Sequence, residues 1–175
     1  DAGITWVRSA IGVSALHLNS VFFRTANRGW VVGDSGAIYT TANGGQSWTR
    51  QVSSTNRPLN SVTMGANGQG WIAGDQGFLL TSLDSGATWS PIASPFTRNL
   101  HQIFFLAPLR GWVVGDGGLL SFTGDGGGVW VNLISGTGLD LASISFGDSL
   151  TATAVGGTST TSVTLRSSNS GLSWV

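Results

Sequence analysis

Three aspartates recur at a fixed interval in this 175-residue chain and are the first candidates for chemistry. Asp34, Asp75 and Asp116 lie 41 residues apart, each within a Gly-Asp-x-Gly segment. Carboxylates displayed together on one surface could bind a ligand. The same segment is also a good tight turn, because Asp-Gly sequences tolerate the positive φ that hairpin turns require. We favour the turn and retain the three aspartates as candidate binding residues.

Four arginines could add binding groups. Arg57 and Arg98 again lie 41 residues apart, and each is expected to be either a binding residue or a solvated charge. Arg28 and Arg110 each precede a Gly-Trp pair. There they could bind a partner's carboxylates through bidentate hydrogen bonds. Alternatively each could stack on the neighbouring tryptophan, and the sequence leaves both interpretations open.

Metal and cofactor chemistry find little support in the sequence. Cysteine is absent, which excludes thiolate ligands, thiol nucleophiles and disulfides. The two histidines, His17 and His101, occupy offset repeat positions, and no third metal-ligand candidate accompanies them in the sequence. We therefore predict no metal site and no cofactor, with both histidines satisfied within the fold or solvated.

Composition narrows the partners and the fold class. All eight cations are Arg and all eight acids are Asp, so the net charge is about zero. Nucleic acids and anionic membranes attract clustered cations, so neither is predicted as a principal partner. Twenty-seven glycines and few helix-forming residues favour short strands joined by tight turns, an all-β fold. No segment approaches the roughly 20 apolar residues of a membrane span, and a soluble chain, or a trimmed piece of a longer one, is expected.

The organising feature is an internal repeat with a step of 41 residues. Its first element, Leu-x-x-Val/Ile-x-Phe/Met, begins at Leu18, Leu59, Leu100 and Leu141. A Gly-Trp element of the type Gly-Trp-Val-Val-Gly-Asp follows in three copies, whereas the fourth, around residues 153–157, has lost its Trp and Asp. A period of about 40 residues carrying four short strands is typical of a β-propeller blade.

Each copy is predicted to supply four strands. Strand A is the Leu-x-x-Val element and should be innermost, strand B is the Gly-Trp element, strand C is an apolar stretch such as 37–40, and strand D follows the closing tryptophan. Alternate residues of strand A should form a packed face between neighbouring blades. These residues are Val21 and Phe23, Val62 and Met64, Ile103 and Phe105, and Ile144 and Phe146.

A turn motif, Ser/Thr-x-Asp/Asn-x-Gly-x-x-Trp, closes every copy. Its Asx side chain can hydrogen-bond backbone N–H groups of its own turn, its glycine supplies positive φ, and its tryptophan covers the hairpin. We predict structural roles for the Asx and Trp residues of all four copies. These are Asn43 and Trp48, Asp84 and Trp89, Asp125 and Trp130, and Asn169 and Trp174.

The repeat predicts a single β-propeller unit over residues 1–175, built from blades of four antiparallel strands. The blades are placed at about 7–48, 49–89, 90–130 and 131–174, with residues 1–6 as the end of a preceding turn motif. A four-bladed ring could close on itself. We predict instead a part of a larger ring, completed by further blades or by self-association, because unpaired outer strands leave exposed hydrogen-bonding edges.

The turn motif resembles the Asp box, or BNR repeat, of sialidase-like propellers. Sialidase chemistry needs a tyrosine nucleophile, and the resemblance further implies a glutamate that activates it and an arginine cluster. The chain has no Glu, and its one tyrosine, Tyr39, falls in a predicted strand C. We therefore predict that the chain is not an enzyme.

The three elements together more closely resemble the photosystem II stability and assembly factor family, over essentially all 175 residues. The resemblance implies a non-catalytic scaffold that binds a protein partner, or other subunits of a larger extracytoplasmic complex in a periplasm, a lumen or the exterior. The alternatives are a carbohydrate-binding or cell-surface adhesion propeller and, third, a glycosidase subunit. Exposed Trp and Tyr beside Asp and Asn would favour a sugar, whereas a flat, apolar, Arg-rimmed face would favour a protein.

Overall fold

The computed structural model describes residues 4–5, 8–9, 11–12 and 16–175. Within these residues the chain forms fifteen strands. In chain order they are β1 (Leu18–Phe23), β2 (Gly29–Gly33), β3 (Ala37–Thr41), β4 (Thr49–Gln51), β5 (Leu59–Met64), β6 (Gly70–Gly74), β7 (Leu79–Ser82), β8 (Ser90–Pro91), β9 (Leu100–Ala107), β10 (Arg110–Gly115), β11 (Leu119–Thr123), β12 (Val131–Asn132), β13 (Leu141–Phe146), β14 (Ala152–Gly157) and β15 (Ser162–Ser167).

The strands form four antiparallel sheets in which chain neighbours are also sheet neighbours. The first three sheets contain four strands each, and the fourth contains three, β13 to β15. The strands that begin the sheets, β1, β5, β9 and β13, contact one another in that order. This is the arrangement of propeller blades around their innermost strands, so the predicted all-β blade architecture is confirmed.

The sheets are offset from the repeat limits drawn at the tryptophans. Strand β4, which follows Trp48, pairs with β3 and completes the first sheet; β8 and β12 do the same for the second and third. The reason is that the closing motif is the turn between the third and fourth strands. In the fourth sheet Val175 takes this place, exchanging backbone hydrogen bonds of 2.7 and 3.0 Å with Arg166. The predicted turn motif at residues 1–6 lies largely outside the described residues.

Every innermost strand carries a β-bulge at its second residue. In β1, Leu18 pairs with Gly33 and Ser20 with Val32, so Asn19 is the extra residue. Bulges of this kind re-aim a side chain relative to the regular strand alternation. The bulged residues of the four sheets are Asn19, Asn60, His101 and Ala142.

The core lies between adjacent sheets rather than within one. At the first junction Trp30, Val32 and Ile38 pack on Leu59 and Val62 of the second sheet, and the other two junctions are built in the same way. The predicted packed face is confirmed there, since Val62, Met64, Ile103 and Ile144 are at most 7% exposed.

The first sheet departs from this pattern. Val21 is 60% exposed and Phe23 41%, and Leu18 at the start of the same strand is 46% exposed. In the second, third and fourth sheets the equivalent residues pack against the preceding sheet. Among the described residues, therefore, the corresponding face of the first sheet remains open to solvent.

A 3-10 turn of three residues joins the second and third strands of each of the first three sheets. The turns are Asp34–Gly36, Asp75–Gly77 and Asp116–Gly118. None of the helices in the described residues is long and apolar enough to cross a membrane. The closing glycine has φ of 66° to 74°. A Cβ at Gly77 would also collide with the carbonyl oxygen of Phe96, so glycine lets the turn approach the link between sheets.

Candidate functional site

The loops gather at two ends of the sheets. At one end the 3-10 turns meet the links between sheets, where the Gly36 N–H donates to the Arg57 carbonyl at 3.0 Å. At the other end the Asp-box turns meet the loops after the innermost strands, where the Gly44 N–H donates to the Asn27 carbonyl at 3.0 Å. We call these ends the turn face and the Asp-box face.

The acidic side chains of the Asp-box face are fully engaged in their own turns. Asp84 accepts backbone N–H bonds from Ala87 at 3.0 Å and Thr88 at 2.9 Å, together with the hydroxyls of Thr88 and Ser82. Asn43 holds the first turn through the same acceptor position, where it receives the Ser47 N–H at 3.0 Å. An Asx oxygen that organises the turn is thus common to acidic and amide versions of the motif.

These bonds stabilise the ionised carboxylates. The side-chain hydrogen bond from Thr88 is the largest cause that holds the pKa of Asp84 far below its ordinary value. The backbone N–H of Val129 is the largest cause that lowers the pKa of Asp125. A carboxylate held ionised in this way is a poor general acid, because such a role needs a pKa near the working pH.

Two sets of tryptophans fix the sheets. The first set belongs to the Gly-Trp element, and each member is fully buried and donates its Nε1–H to an Asp-box glycine carbonyl of the following sheet. These pairs are Trp30 with Gly86 at 2.9 Å, Trp71 with Gly126 at 2.9 Å and Trp112 with Gly171 at 3.0 Å. Each bond therefore ties the turn of one sheet to the sheet before it.

The Asp-box tryptophans form the second set. Trp89 and Trp174 are buried, whereas Trp48 and Trp130 are half-buried. Trp89 donates to the Gln51 side chain of the preceding sheet at 3.1 Å. Ile92 stands at the place of Gln51 one repeat later, and the buried Nε1–H of Trp130 has no partner among the described residues.

Arg28 and Arg110 stack on the tryptophans beside them. The guanidinium carbon of Arg28 lies 5.1 Å from the Trp30 ring centroid, and that of Arg110 lies 5.7 Å from the Trp112 ring. Both distances fall within the range of a cation–π interaction. Of the two interpretations left open by the sequence, the stacked one is observed for both arginines.

The three candidate aspartates of the turn face each contact the bulged residue of their own sheet. Side-chain pairs form between Asn19 and Asp34 at 3.1 Å, between Asn60 and Asp75 at 2.8 Å, and between His101 Nε2 and Asp116 at 2.6 Å. Sequence reasoning missed the two asparagines. The available signal was a polar residue repeated every 41 positions and always 15 residues before the aspartate.

The asparagines also bridge to the next sheet. Asn19 donates to the Leu59 carbonyl at 3.1 Å, and Asn60 donates to the Leu100 carbonyl at 2.9 Å. The candidate aspartates thus organise a row of polar contacts that joins neighbouring innermost strands. The aspartates therefore have two structural roles: each begins a 3-10 turn, and each contacts the bulged residue of its own sheet.

Arg57 and Arg98 lie exposed at the rim of the turn face. The Arg57 guanidinium lies 5.4 Å from the Phe78 ring centroid. Arg98 donates to the backbone carbonyls of Asp116 at 3.3 Å and Gly117 at 3.0 Å. Each arginine is anchored at the next sheet while retaining donors that face solvent.

A shallow cavity of about 620 Å³ opens where the bulged residues of all four sheets converge. It is lined by Leu18, Asn19, Asn60, His101, Asp140, Ala142 and Gly157. Two amide side chains, one carboxylate and an imidazole therefore share one depression with apolar side chains. Such a surface can hydrogen-bond the backbone and polar groups of an extended ligand.

The bulge and turn also gather potential metal ligands around His101, although the sequence had suggested none. Ligand atoms of His101, Asp116 and Asp140 all lie within 4.8 Å of one another. By contrast, the candidate nucleophile for glycosidase chemistry is inaccessible, since Tyr39 is 4% exposed within β3. The turn face is therefore a better candidate for a functional site than the strand that contains Tyr39.

Meandering antiparallel sheets closed by four Asp-box turns define an Asp-box β-propeller protein. The sequence profile described as "Photosynthesis system II assembly factor YCF48" matches residues 2–95. More than half of the chain is covered, and the chain belongs to this family. No curated protein sequence matches it significantly.

Solved structures share the fold. YCF48 bound to a D1 peptide matches with a TM-score of 0.73 at 22% identity, over 91% of this chain and 53% of that one. YCF48 from Cyanidioschyzon merolae matches at 0.72 and 24%, over 99% and 61%. The GH74 xyloglucanase from Xanthomonas campestris matches at 0.65 and 16%, over 85% and 28%. The chain thus spans 53 to 61% of the two YCF48 chains, and identities this low show a common fold alone.

Proposed function

We propose that this chain is a non-catalytic scaffold that binds a protein partner and serves in the assembly or stability of a larger complex. The family assignment over residues 2–95 is the observation that carries the proposal. A YCF48 structure holds a D1 peptide. A D1 segment, or an extended polypeptide of similar chemistry, is therefore the first partner to test.

The exposure of aromatic residues supports a protein ligand over a sugar. A sugar-binding platform needs solvent-facing Trp or Tyr rings beside polar groups. Among the described residues every tryptophan is buried or half-buried, and Tyr39 is buried. The likeness to GH74 enzymes is one of fold only, at 16 to 17% identity.

We place the binding surface on the turn face. The cavity there offers the Asn19 and Asn60 amides, and the exposed guanidiniums of Arg57 and Arg98 lie at the rim of the same face. The N–H groups of both amides already donate within the protein, so their oxygens are the groups that can accept backbone N–H bonds from an extended segment. Carboxylates of the segment can pair with the guanidiniums.

A binding titration with a labelled D1 peptide tests this placement. We expect saturable binding and a loss of about tenfold or more for each contacting arginine, since a charged hydrogen bond contributes about 1.5–3 kcal/mol. The test variant is Arg57→Gln with Arg98→Gln, and the matched control is Arg50→Gln with Arg166→Gln on the outer part of the sheets. Absence of binding, or equal weakening by both pairs, would contradict the proposal.

We also propose that another Asp-box blade covers the open face of the first sheet in the functional protein. Val21 is 60% exposed, whereas its equivalents Val62, Ile103 and Ile144 are 4, 2 and 1% exposed beneath a neighbouring sheet. Exposed apolar faces of this kind mark interaction surfaces. The covering blade could belong to the same or a second chain and would complete a larger ring.

The absence of native cysteine allows a direct labelling test of this cover. A Val21→Cys variant should react with a thiol reagent in the isolated chain and be protected in the assembly purified from cells. An Arg50→Cys variant on the exposed outer strand β4 should react in both. Full reactivity of the Val21→Cys thiol in the assembly would show that this face stays open.

An extracytoplasmic location is proposed as well. Only 9% of the residues are charged, a composition that suits a subunit embedded in an extracytoplasmic assembly. Fractionation of cells that produce the tagged natural protein is the check, and recovery in the cytoplasmic fraction alone would refute it.

A further inference from the structure

We propose that His101, Asp116 and Asp140 form a site for one divalent transition-metal ion, with Zn²⁺ the best match. Each residue offers one ligand atom, and these atoms lie within 4.8 Å of one another. The proposal does not depend on the partner-binding function. It concerns only the junction between the third and fourth sheets.

Three separate elements bring the ligands together. His101 is the bulged residue of β9, Asp116 begins the 3-10 turn of the same sheet, and Asp140 ends the link that leads into β13. His101 Nε2 lies 2.6 Å from Asp116 Oδ1. Asp140 Oδ1 accepts the Gly117 N–H at 2.7 Å, which fixes the carboxyl group and leaves its second oxygen to bind an ion.

The other two junctions show that the fold does not require metal-binding side chains at these places. The equivalent residues are Asn19, Asp34 and Pro58 at the first junction, and Asn60, Asp75 and Asn99 at the second. At the second junction amides suffice for the contacts to the turn, since the Asn60 amide reaches Asp75 and Asn99 Oδ1 accepts the Gln76 N–H at 3.0 Å. At the first junction the link position is Pro58, which has no polar side chain. Only the third junction replaces both amide positions with an imidazole and a carboxylate.

The charge and exposure of the cluster suit a divalent cation. Two carboxylates and a neutral imidazole sum to two negative charges. Arg98 donates to the backbone carbonyls of Asp116 and Gly117, and among the described residues no arginine forms a salt bridge with either carboxylate. His101 and Asp140 line the cavity, and the side chains of His101 and Asp116 are 34 and 33% exposed, so an ion can enter and keep a water ligand.

The donor set selects among metals. Zn²⁺ binds imidazole nitrogen and carboxylate oxygen at about 2.0–2.2 Å, and three protein ligands leave its fourth position open for water. The imidazole favours a transition metal over Mg²⁺ or Ca²⁺, which prefer oxygen ligands alone. The ion would replace the hydrogen bond between His101 and Asp116. Any proton on Nε2 must leave that atom first, moving to Nδ1 or to solvent, because the metal takes its lone pair.

Calorimetric titration of the 175-residue chain with Zn²⁺ tests the site. We expect one ion per chain and a loss of affinity of about tenfold or more in His101→Asn and in Asp140→Asn, because loss of even an outer partner of a metal ligand typically costs 10–100-fold. Both variants install the residue that another junction uses. Their melting temperatures without metal should therefore stay near that of the unmodified chain. The matched control, His17→Asn, removes the other histidine and should leave Zn²⁺ binding unchanged.

A spectroscopic readout separates this site from incidental histidine binding. Zn²⁺ should shift the ring C–H resonances of His101 and leave those of His17 in place, and bound Zn²⁺ should raise the melting temperature of the unmodified chain. The proposal is wrong if no stoichiometric binding occurs, if His101→Asn or Asp140→Asn binds as tightly as the unmodified chain, or if His17 alone responds.

Discussion

The two outermost faces of the row of sheets differ in chemistry, since the face of the first sheet is apolar and that of the fourth is largely polar. On the first sheet the exposed residues are Leu18, Val21 and Phe23. On the fourth, Ser145, Thr153 and Thr164 stand at the positions that Phe22, Trp30 and Ile38 occupy in the first sheet. All three of these hydroxyl residues are exposed.

This difference indicates which face needs a partner. Exposed apolar faces mark interaction surfaces, whereas polar faces are stable in contact with solvent. By this criterion the first sheet needs a cover, and the chemistry of the fourth sheet does not by itself require one. The fourth sheet is also a poor cover for the first, because it would bring threonine where every internal junction brings a buried tryptophan. A cover should therefore carry its own Gly-Trp element, which disfavours both closure within this chain and head-to-tail pairing of two copies.

The largest expected effect concerns the position that Trp71 occupies on the second sheet and Thr153 on the fourth. Trp71→Ala should lower the free energy of unfolding by about 3–5 kcal/mol, as for other buried large aromatics. Thr153→Ala should change it by less than about 0.5 kcal/mol, as for an exposed residue. Urea denaturation of both variants measures the difference. Equal losses would mean that the fourth face is packed rather than solvated.

A second pair compares the receiving faces. Val62 is 4% exposed and Val21 60%. Val62→Ser should lower the free energy of unfolding by about 1.5–3 kcal/mol, the contribution of a buried valine side chain, while Val21→Ser in the isolated chain should have much less effect. Thermal melts of the two variants provide the check. A large loss in Val21→Ser would place that side chain in a core.

A smaller effect is expected from the stacked arginines, which have no counterpart on the fourth sheet, where Thr151 and Thr153 replace the Arg and Trp pair. Arg110→Gln should cost about 0.5–1 kcal/mol, the value of a partly exposed cation–π contact. Arg50→Gln, which alters an exposed outer strand, is the control. If the two variants are equally stable, the stack on Trp112 contributes nothing measurable.

The smallest effect at neutral pH should come from Asp84→Asn, because the first and fourth sheets already use asparagine at this position. The folded protein holds the pKa of Asp84 below its ordinary value of 3.8. A carboxyl group whose pKa is lowered by folding stabilises the fold above the unfolded-state value, and this stabilisation is lost as the pH falls below it. The variant should therefore show a weaker loss of stability below about pH 4. Identical acid unfolding curves would show that Asp84 is not a source of acid sensitivity.

Much of the fold was predictable because it depends on sequence patterns within each repeat. The 41-residue step, the buried alternation of Val62 and Met64, and the Asp-box turns all depend on residues close in sequence. The bulges were not predictable in this way. They depend on how one strand registers against the next, and it is the bulge that brings Asn60 to Asp75, 15 residues away.

The candidate site was only partly foreseen for the same reason. Asp34, Asp75 and Asp116 were identified, but their partners were not. Asp140 comes from a link between sheets, and nothing in its local sequence shows that it lies near His101. The stack of Arg28 on Trp30 was one of two interpretations, and only three-dimensional placement could decide between them.

The bond from each buried tryptophan to the following Asp box has a consequence for how such chains can grow and diverge. Its acceptor is a backbone carbonyl, at Gly86, Gly126 and Gly171. In the second and fourth sheets the acceptor is the glycine of the motif, whereas in the third sheet it is Gly126, one residue before the motif glycine. The bond therefore forms without one fixed acceptor position. Because a backbone acceptor makes no demand on the side chains of the turn, gene duplication can add or exchange blades while the sequences of the turns drift, provided that the tryptophan and the apolar residues of the junction are kept.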